Sequence, residues 1–313
     1  MSTHQVIVFG SLNMDLSIEC DRTPLIGETL LGRNFITNPG GKGANQAVAA
    51  AKLGGCVHML GAVGADAFGD QMVASLAEAG VRCERIAVVD DKPTGVAVIE
   101  RVGGDNCIIV DSGANLHPNM TFVEERLDEI AHPGDVFLAQ LECDFDTTVA
   151  ALACAHDRGL CTVLNPAPAR ALPLELYPNL DVIAVNETEC EILTGVYPDG
   201  PSSIRRALNV FEDRGARCAV ITLGERGSVL GTADSDVILH AEPLAVDAVD
   251  TTCAGDTYLG AFVAARADGA SDEAAMDLAT RASALAITRV GAQQSIPTRA
   301  QADALEPVAV HML

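Results

Sequence analysis

Apolar and polar positions follow two rhythms along this chain. In the first, short apolar runs recur: Val6–Phe9, Val57–Gly61, Asp135–Gln140, Leu160–Asn165, Asp181–Val185 and Arg217–Thr222. Continuous runs of that length mark strands buried on both faces. The stretches between them predict helices over Gly43–Leu53, Ala67–Ala79, Phe122–Ala131, Thr147–Arg158, Glu187–Thr194, Ser203–Arg214, Asp256–Ala267 and Asp272–Arg289. Punctuation agrees: Thr121 and Glu124 fit a capping box, Gly54 and Gly80 stand where glycines end helices, and Ser271 precedes an acidic first turn. The second rhythm has period two. Met14, Leu16, Ile18 and Cys20 alternate with Asp15, Ser17 and Glu19, as in a strand with one face exposed. Thr94–Val102 and Asn106–Asp111 flank Gly103-Gly104-Asp105, a hairpin signal. With roughly Thr29–Thr37 they predict a small sheet apart from the main body, built from about residues 14–37 and 94–111.

Strand–helix alternation of the first kind predicts a mostly parallel sheet covered on both faces, with ligands at the carboxyl ends of the strands. The informative polar residues gather at those ends: Asn13, Asp15, Glu142, Asn165, Asn186, Thr222 and Gly224. No repeat, low-complexity segment or linker interrupts the 313 residues.

Composition narrows the partners. Hydrophobic residues make up 49% of the chain, enough for a sizeable core, and aromatics only 4%, which favours helices packed closely on a sheet. The net charge of −23, from 20 basic and 43 acidic residues, would repel nucleic acid and anionic membranes. A polyanion would need local amides, a few cations and a metal to hold it. Ten cysteines are spread singly, mostly inside apolar stretches and with no Cys-x-x-Cys, and read as buried thiols in a reducing compartment. The start, MSTHQVIVFG, lacks the charge and apolar length of a signal peptide, and no later run is long enough for a bilayer. The expectation is a cytoplasmic protein.

Candidate chemistry begins at Asp250-Thr-Thr-Cys-Ala-Gly-Asp-Thr257, running into an apolar helix. Small residues before a helix let backbone N–H groups converge on an anion, and a carboxylate in the first turn could take a proton from an attacking hydroxyl. The plainer reading of Asp256 is a helix cap. Asn38-Pro-Gly-Gly-Lys-Gly-Ala-Asn-Gln46 is neither a Walker loop nor a dinucleotide fingerprint, because Gly43 follows Lys42 and Gln46 fills the third glycine position. It is a glycine turn, or a turn that presents Lys42 and Asn45 to a polyol. Asn186-Glu-Thr-Glu189 is an N-capped acidic helix start, or a place where Glu189 orients metal-bound water. Thr222 and Gly224, in Ile221-Thr-Leu-Gly-Glu-Arg-Gly227, suit phosphate or ribose, or form an ordinary turn. The seven histidines are scattered, without His-x-x-x-His and away from these carboxylates, so nothing in the sequence supports a zinc site or a Ser–His–Asp triad.

In order, Gly10-Ser-Leu-Asn-Met-Asp15, PGGKGANQA, GAVGADAFGD, NPAPAR, NETE, ITLGERG, DTTCAGDT and Ile287–Pro297 resemble the ribokinase branch of the phosphofructokinase-B type carbohydrate kinases. The resemblance covers nearly the whole chain. It implies one domain over residues 1–313, a three-layer α/β/α sandwich with a mostly parallel central sheet, the period-two strands forming a β-sheet lid that often makes a homodimer contact. By position it implies a sugar held by Asn13, Asp15, Gly41, Lys42, Asn45 and Glu142, with Asp256 as base. The anion hole would be the backbone of Cys253, Ala254, Gly255 and Asp256. Asn186, Thr222 and Gly224 would serve ATP, and Glu189 would hold Mg²⁺ through water. Activating K⁺ would take the Asp250 and Ser295 side chains and the carbonyls of Thr252, Ala286, Arg289 and Gly291. Cys253 stands where small residues are usual, and Thr280 where some relatives carry His or Asn near the base. The implied reaction is phosphorylation of D-ribose at its 5-hydroxyl. Rivals are a kinase of the same fold for 2-deoxyribose, another sugar or a nucleoside, and a non-catalytic sugar sensor; Phe35 is nearly alone as a lid aromatic for a nucleobase.

Overall fold

A computed structural model describes residues 4–103 and 105–313 of the chain. The first apolar run is β1 (Gln5–Phe9), and its alternate side chains enter opposite layers: Val6 and Val8 join one buried cluster, Ile7 and Phe9 another. That is what a central strand covered on both faces requires. The amino-terminal half continues with β2 (Asn13–Cys20), β3 (Arg33–Gly40), α1 (Lys42–Lys52), β4 (Cys56–Gly64), α2 (Ala67–Glu78), β5 (Ile86–Val89), β6 (Gly95–Val102), β7 (Asp105–Asp111) and α3 (Met120–Ile130). Then come β8 (Val136–Ala139), α4 (Phe145–Asp157), β9 (Cys161–Leu164), β10 (Val182–Asn186), α5 (Glu187–Thr194), α6 (Pro201–Asp213) and β11 (Cys218–Thr222). The chain closes with β12 (Ser228–Thr232), β13 (Ser235–Ala241), α7 (Ala254–Ala267), α8 (Asp272–Ala286), α9 (Arg299–Asp303) and β14 (Val310–Met312).

Among the described residues the strands form two sheets. The larger runs β14-β13-β12-β11-β10-β9-β8-β1-β4-β5, parallel from β11 to β5 and antiparallel across β12, β13 and β14. Helices α1, α2, α7, α8 and α9 cover one face and α3 to α6 the other, giving the three-layer α/β/α sandwich. The smaller sheet, β3-β2-β6-β7, is the lid; β2 pairs parallel with β6 from Asn13↔Gly95 to Cys20↔Val102. The polar face of β2 is not turned to bulk solvent, as the alternation predicted. Asp15, Ser17 and Glu19 line a cleft of about 950 Å³ between the lid and the loops around Asp250 and Gly291.

Helices α1 and α7 approach closely because their contact residues are small. A Cβ on Gly260 would stand 2.4 Å from that of Ala49 and 2.7 Å from the Gln46 carbonyl oxygen. This approach brings the starts of the two helices, and with them the sequence-predicted Lys42, Asn45 and Asp256, together.

Several boundaries differ from expectation for identifiable reasons. Asn119, not Thr121, caps α3, accepting from the Phe122 N–H at 3.0 Å; asparagine is the better cap. Helix α8 stops at Ala286 rather than Arg289, because the Ile287 carbonyl accepts from the amides of Val249 and Asp250. Gly54 and Gly80 take the left-handed conformation after their helices, and Ser271 caps α8. Gly104, at the centre of the expected hairpin turn, lies outside the described residues. The cysteines are all free, but Cys107, on the lid, is exposed rather than buried. Among the described residues no helix is long and apolar enough to cross a membrane.

Candidate active site

The start of α7 is unusual for what its side chains do not do. Its N-cap, Cys253, sits in the left-handed region at φ 66° and offers no side-chain cap. Asp256, in the first turn, does not cap either. One carboxylate oxygen accepts from Asn45 Nδ2 at 3.0 Å and the other from Gln46 Nε2 at 2.9 Å, both on α1. A carboxylate only accepts, so each amide must turn its NH₂ group toward it. Gln46 is held in turn: its Oε1 accepts from Gln140 Nε2 at 2.6 Å, and its Nε2 also reaches Asn165 Oδ1 at 3.1 Å. Asn165 donates onward to the Ala184 carbonyl at 3.0 Å. The plainer reading, a cap, is thereby set aside for Asp256. The Ala254 N–H is directed onto the Thr251 carbonyl at 3.2 Å. The amides of Gly255 and Asp256 follow it in the first turn, where no intrahelical acceptor exists, and the space above Gly255 is open.

Beside this carboxylate lies a second cluster, ordered by the glycine turn before α1. Gly41 takes φ 86°, and a Cβ there would meet the Asn13 amide nitrogen at 2.7 Å. The turn points the Lys42 N–H at Glu142 Oε2 (3.1 Å), which also accepts from Ser11 Oγ (2.5 Å) and Asn13 Nδ2 (3.4 Å). Asn13 is set by Asn115, whose Nδ2 donates to its Oδ1 at 2.7 Å and whose own Oδ1 takes the Leu12 N–H. Three carboxylates crowd this region. Burial, then the charges of Glu142 and Asp256, push the Asp15 carboxyl up to about 7. For Lys42, burial works against the charge, but Asp256, Glu142 and Glu189 outweigh it and raise the ammonium above its ordinary value. Asn45 Oδ1 is buried and has no partner.

A pocket of about 230 Å³ opens on the other side of Asp256, lined by Lys42, Asn186, Glu189, Thr222 and the Cys253–Asp256 turn. Here the plainer reading holds for one motif. Asn186 and Glu189 form a reciprocal capping box on α5, at 2.8 and 2.9 Å. Burial raises the Glu189 carboxyl, against the Asn186 amide and Lys42. Gly224, at φ 56°, begins the turn after β11. Burial, reinforced by Asp256, pushes the Cys253 thiol well above its ordinary value, so it is a neutral lining group. Thr280 is buried with its hydroxyl unpartnered and does not line this pocket.

Of the residues expected around a monovalent cation, Asp250, Thr252 and Gly291 are brought together. The Asp250 oxygens accept from the Thr252 N–H at 2.9 Å and the Gly291 N–H at 3.0 Å. Burial opposes ionisation, but these hydrogen bonds outweigh it and hold the carboxyl below its ordinary value. The Ala286 carbonyl accepts from the Arg289 amide, and the buried Ser295 hydroxyl donates to the Ala292 carbonyl at 2.8 Å.

The pfkB family carbohydrate kinase profile matches residues 3–299. The chain belongs to that family. Ribokinase from Haemophilus influenzae is 40% identical over 93% of this chain and 95% of its own length. Deoxyribokinase from Salmonella typhimurium is 35% identical over 94% and 95%. Among solved structures, Arabidopsis thaliana ribokinase complexed with ribose and ATP superposes with a TM-score of 0.87, at 30% identity over 96% of this chain and 98% of that one. As a pfkB carbohydrate kinase the chain is a phosphotransferase acting on a sugar. Sequence reasoning missed the residues that orient the candidate site residues: Ser11, Gln46, Asn115 and Gln140. Gln46 left one signal, a glutamine inside a stretch of α1 that is otherwise small and buried.

Proposed function

We propose that this chain transfers the γ-phosphoryl group of ATP to the 5-hydroxyl of D-ribose, with Asp256 as general base. The observation that carries the reading is the Asp256 carboxylate, held from the α1 side by Asn45 and Gln46 beside first-turn amides of α7. So held, it retains lone pairs for the hydroxyl proton, while the amides of Gly255 and Asp256 face charge that develops on the transferring group. The unpartnered Asn45 Oδ1 suits a hydroxyl donor, and the Lys42 ammonium can neutralise phosphate charge on the nucleotide side. Asn13, Asp15, Gly41, Lys42 and Glu142 complete the sugar side of this reading. Asn186, Thr222 and Gly224 take the nucleotide side.

Glu189, a pocket-lining carboxylate beside Lys42, fits water-mediated Mg²⁺, which when bound would neutralise phosphate charge. An ionised Asp250 beside the Gly291 turn fits K⁺, with Thr252, Ala286, Arg289 and Ser295 as the remaining proposed ligands. We read residues 1–313 as one domain, and its free thiols as those of a cytoplasmic protein. The outer lid face, with Ile109 75% and Phe35 60% exposed, suits a second copy, so we read the chain as a homodimer.

Asp15 favours ribose over 2-deoxyribose, since a carboxylate placed for two hydroxyls penalises a sugar lacking one. The cleft-side lid residues Ile36, Ile99 and Ile108 supply no aromatic platform for a nucleobase. The test is ADP release across pentoses, hexoses and nucleosides, with and without K⁺. The expected result is sugar-dependent release, with the highest kcat/KM for ribose and stimulation by K⁺. Release without any acceptor, or a nucleoside preferred over ribose, would overturn the reading.

A further inference from the structure

Away from the candidate active site, two histidines and a glutamate converge at the β14 edge of the larger sheet. His240 on β13 and His311 on β14 stand directly opposite in the antiparallel register, and Glu242 follows His240 by two residues, on the same face. Their candidate ligand atoms all lie within 4.8 Å of one another. Scattered histidines in the sequence gave no hint of this, because the pairing of β13 with β14 creates it.

The protonation pattern gives the cluster its meaning. His240 Nε2 lies 2.8 Å from the Arg226 carbonyl oxygen, which only accepts, so that nitrogen carries the hydrogen. In the neutral ring Nδ1 is then a bare lone pair, and it is buried with no hydrogen-bond partner. It faces Glu242 Oε1 at 4.0 Å, and His311 Nε2 faces the same oxygen at 3.7 Å. Both separations are too long for hydrogen bonds. A bare imidazole lone pair opposite a carboxylate is two acceptors meeting, an arrangement that a cation between them would turn from repulsive to attractive.

We propose that His240 Nδ1, His311 Nε2 and Glu242 bind a divalent transition-metal ion of the zinc class. Two imidazoles and a carboxylate with an open fourth position for water are a fitting donor set. Ligand atoms about 2.0–2.2 Å from zinc in a tetrahedral site stand about 3.3–3.5 Å apart, so closing separations of 3.7, 4.0 and at most 4.8 Å needs shifts from a few tenths of an ångström to about 1.5 Å. Glu242 and His311 are about half exposed and can make them. The hydrogen bond from His240 to Arg226 is the outer contact that orients a metal-binding imidazole. Arg226 also reaches Glu187 at 2.7 Å, at the start of α5. The ion would therefore fasten β14 to β13 and to the turn that follows β11.

The test uses the full chain, stripped with EDTA, and zinc chloride as probe. Calorimetry should show one zinc equivalent whose affinity falls at least roughly 10²-fold in His311→Ala and in Glu242→Gln, since even outer-contact changes cost about 10- to 100-fold. Co²⁺ in the same site should give d–d bands without a thiolate charge-transfer band, which separates it from the cysteines. Added zinc should raise the melting temperature of the unsubstituted chain but not of His311→Ala. Glu242→Gln keeps the shape of the site, so it decides the matter where His311→Ala folds poorly. Absence of stoichiometric zinc binding, binding unchanged in both variants, or a thiolate band would each overturn the proposal.

Discussion

Two helices of this molecule begin in the same way on paper and differently in space. Both α5 and α7 carry an acid at the third helical position, Glu189 and Asp256. In α5 the acid folds back on Asn186, and the two close a capping box. In α7 the N-cap is Cys253 in a left-handed conformation, without a side-chain cap, and Asp256 is held by Asn45 and Gln46 from α1. The first arrangement satisfies its own backbone and adds stability. The second leaves first-turn amides without a side-chain cap, and in the proposed reaction it leaves the carboxylate available as base. The difference does not come from the acid. It comes from what packs beside it, and here the close approach at Gly260 brings α1 into reach.

The largest effects should come from the acids themselves. Asp256→Asn should lose at least roughly 10²-fold in kcat, whereas Glu189→Gln should lose about tenfold and recover as Mg²⁺ is raised, in steady-state ADP assays. Equal losses, both insensitive to Mg²⁺, would erase the contrast. Next comes Asp15→Asn, expected to raise the ribose KM about 10- to 50-fold with a smaller change in kcat. The same variant tests the electrostatics. Burial and two neighbouring acids raise the Asp15 carboxyl from 3.8 to about 7, so between those values the folded chain holds a proton that the unfolded chain has released. This group therefore makes stability fall as pH rises through that window. Denaturant melts should find Asp15→Asn more stable than the parent by about 4 kcal/mol at pH 8 and little different at pH 4. The reverse order would remove the assigned crowding.

Gln46→Leu sharpens the comparison from the α1 side. It leaves Asp256 with Asn45 alone and should cost about tenfold in kcat with little change in KM, the signature of a positioning residue. The smallest effect belongs to the cap: Asn186→Ala should lower stability by about 1 kcal/mol, seen as a shifted denaturant midpoint.

Much of this was legible before the structure. Apolar runs gave the parallel strands because those strands are buried on both faces, and period two gave the lid because its faces differ. Other elements left weaker marks. Strands β5, β12, β13 and β14 lie at or near the sheet edges or are short, so neither rhythm was strong enough to find them. The placing of Asp256 in a first helical turn came from one local motif. That it does not cap could not be read there, because its partners sit some two hundred residues away on α1. Gln46, Gln140 and Asn115 are ordinary polar residues in the sequence; only the fold makes them converge on one carboxylate or one backbone segment.

The most direct test of the central claim is the single-turnover rate of Asp256→Asn with ribose and Mg–ATP bound at saturation, alongside ribose affinity measured on the same preparation. If Asp256 takes the hydroxyl proton, ribose should bind within about threefold of normal while phosphoryl transfer slows at least roughly 10²-fold. Transfer near the normal rate from a folded, ribose-binding variant would contradict it.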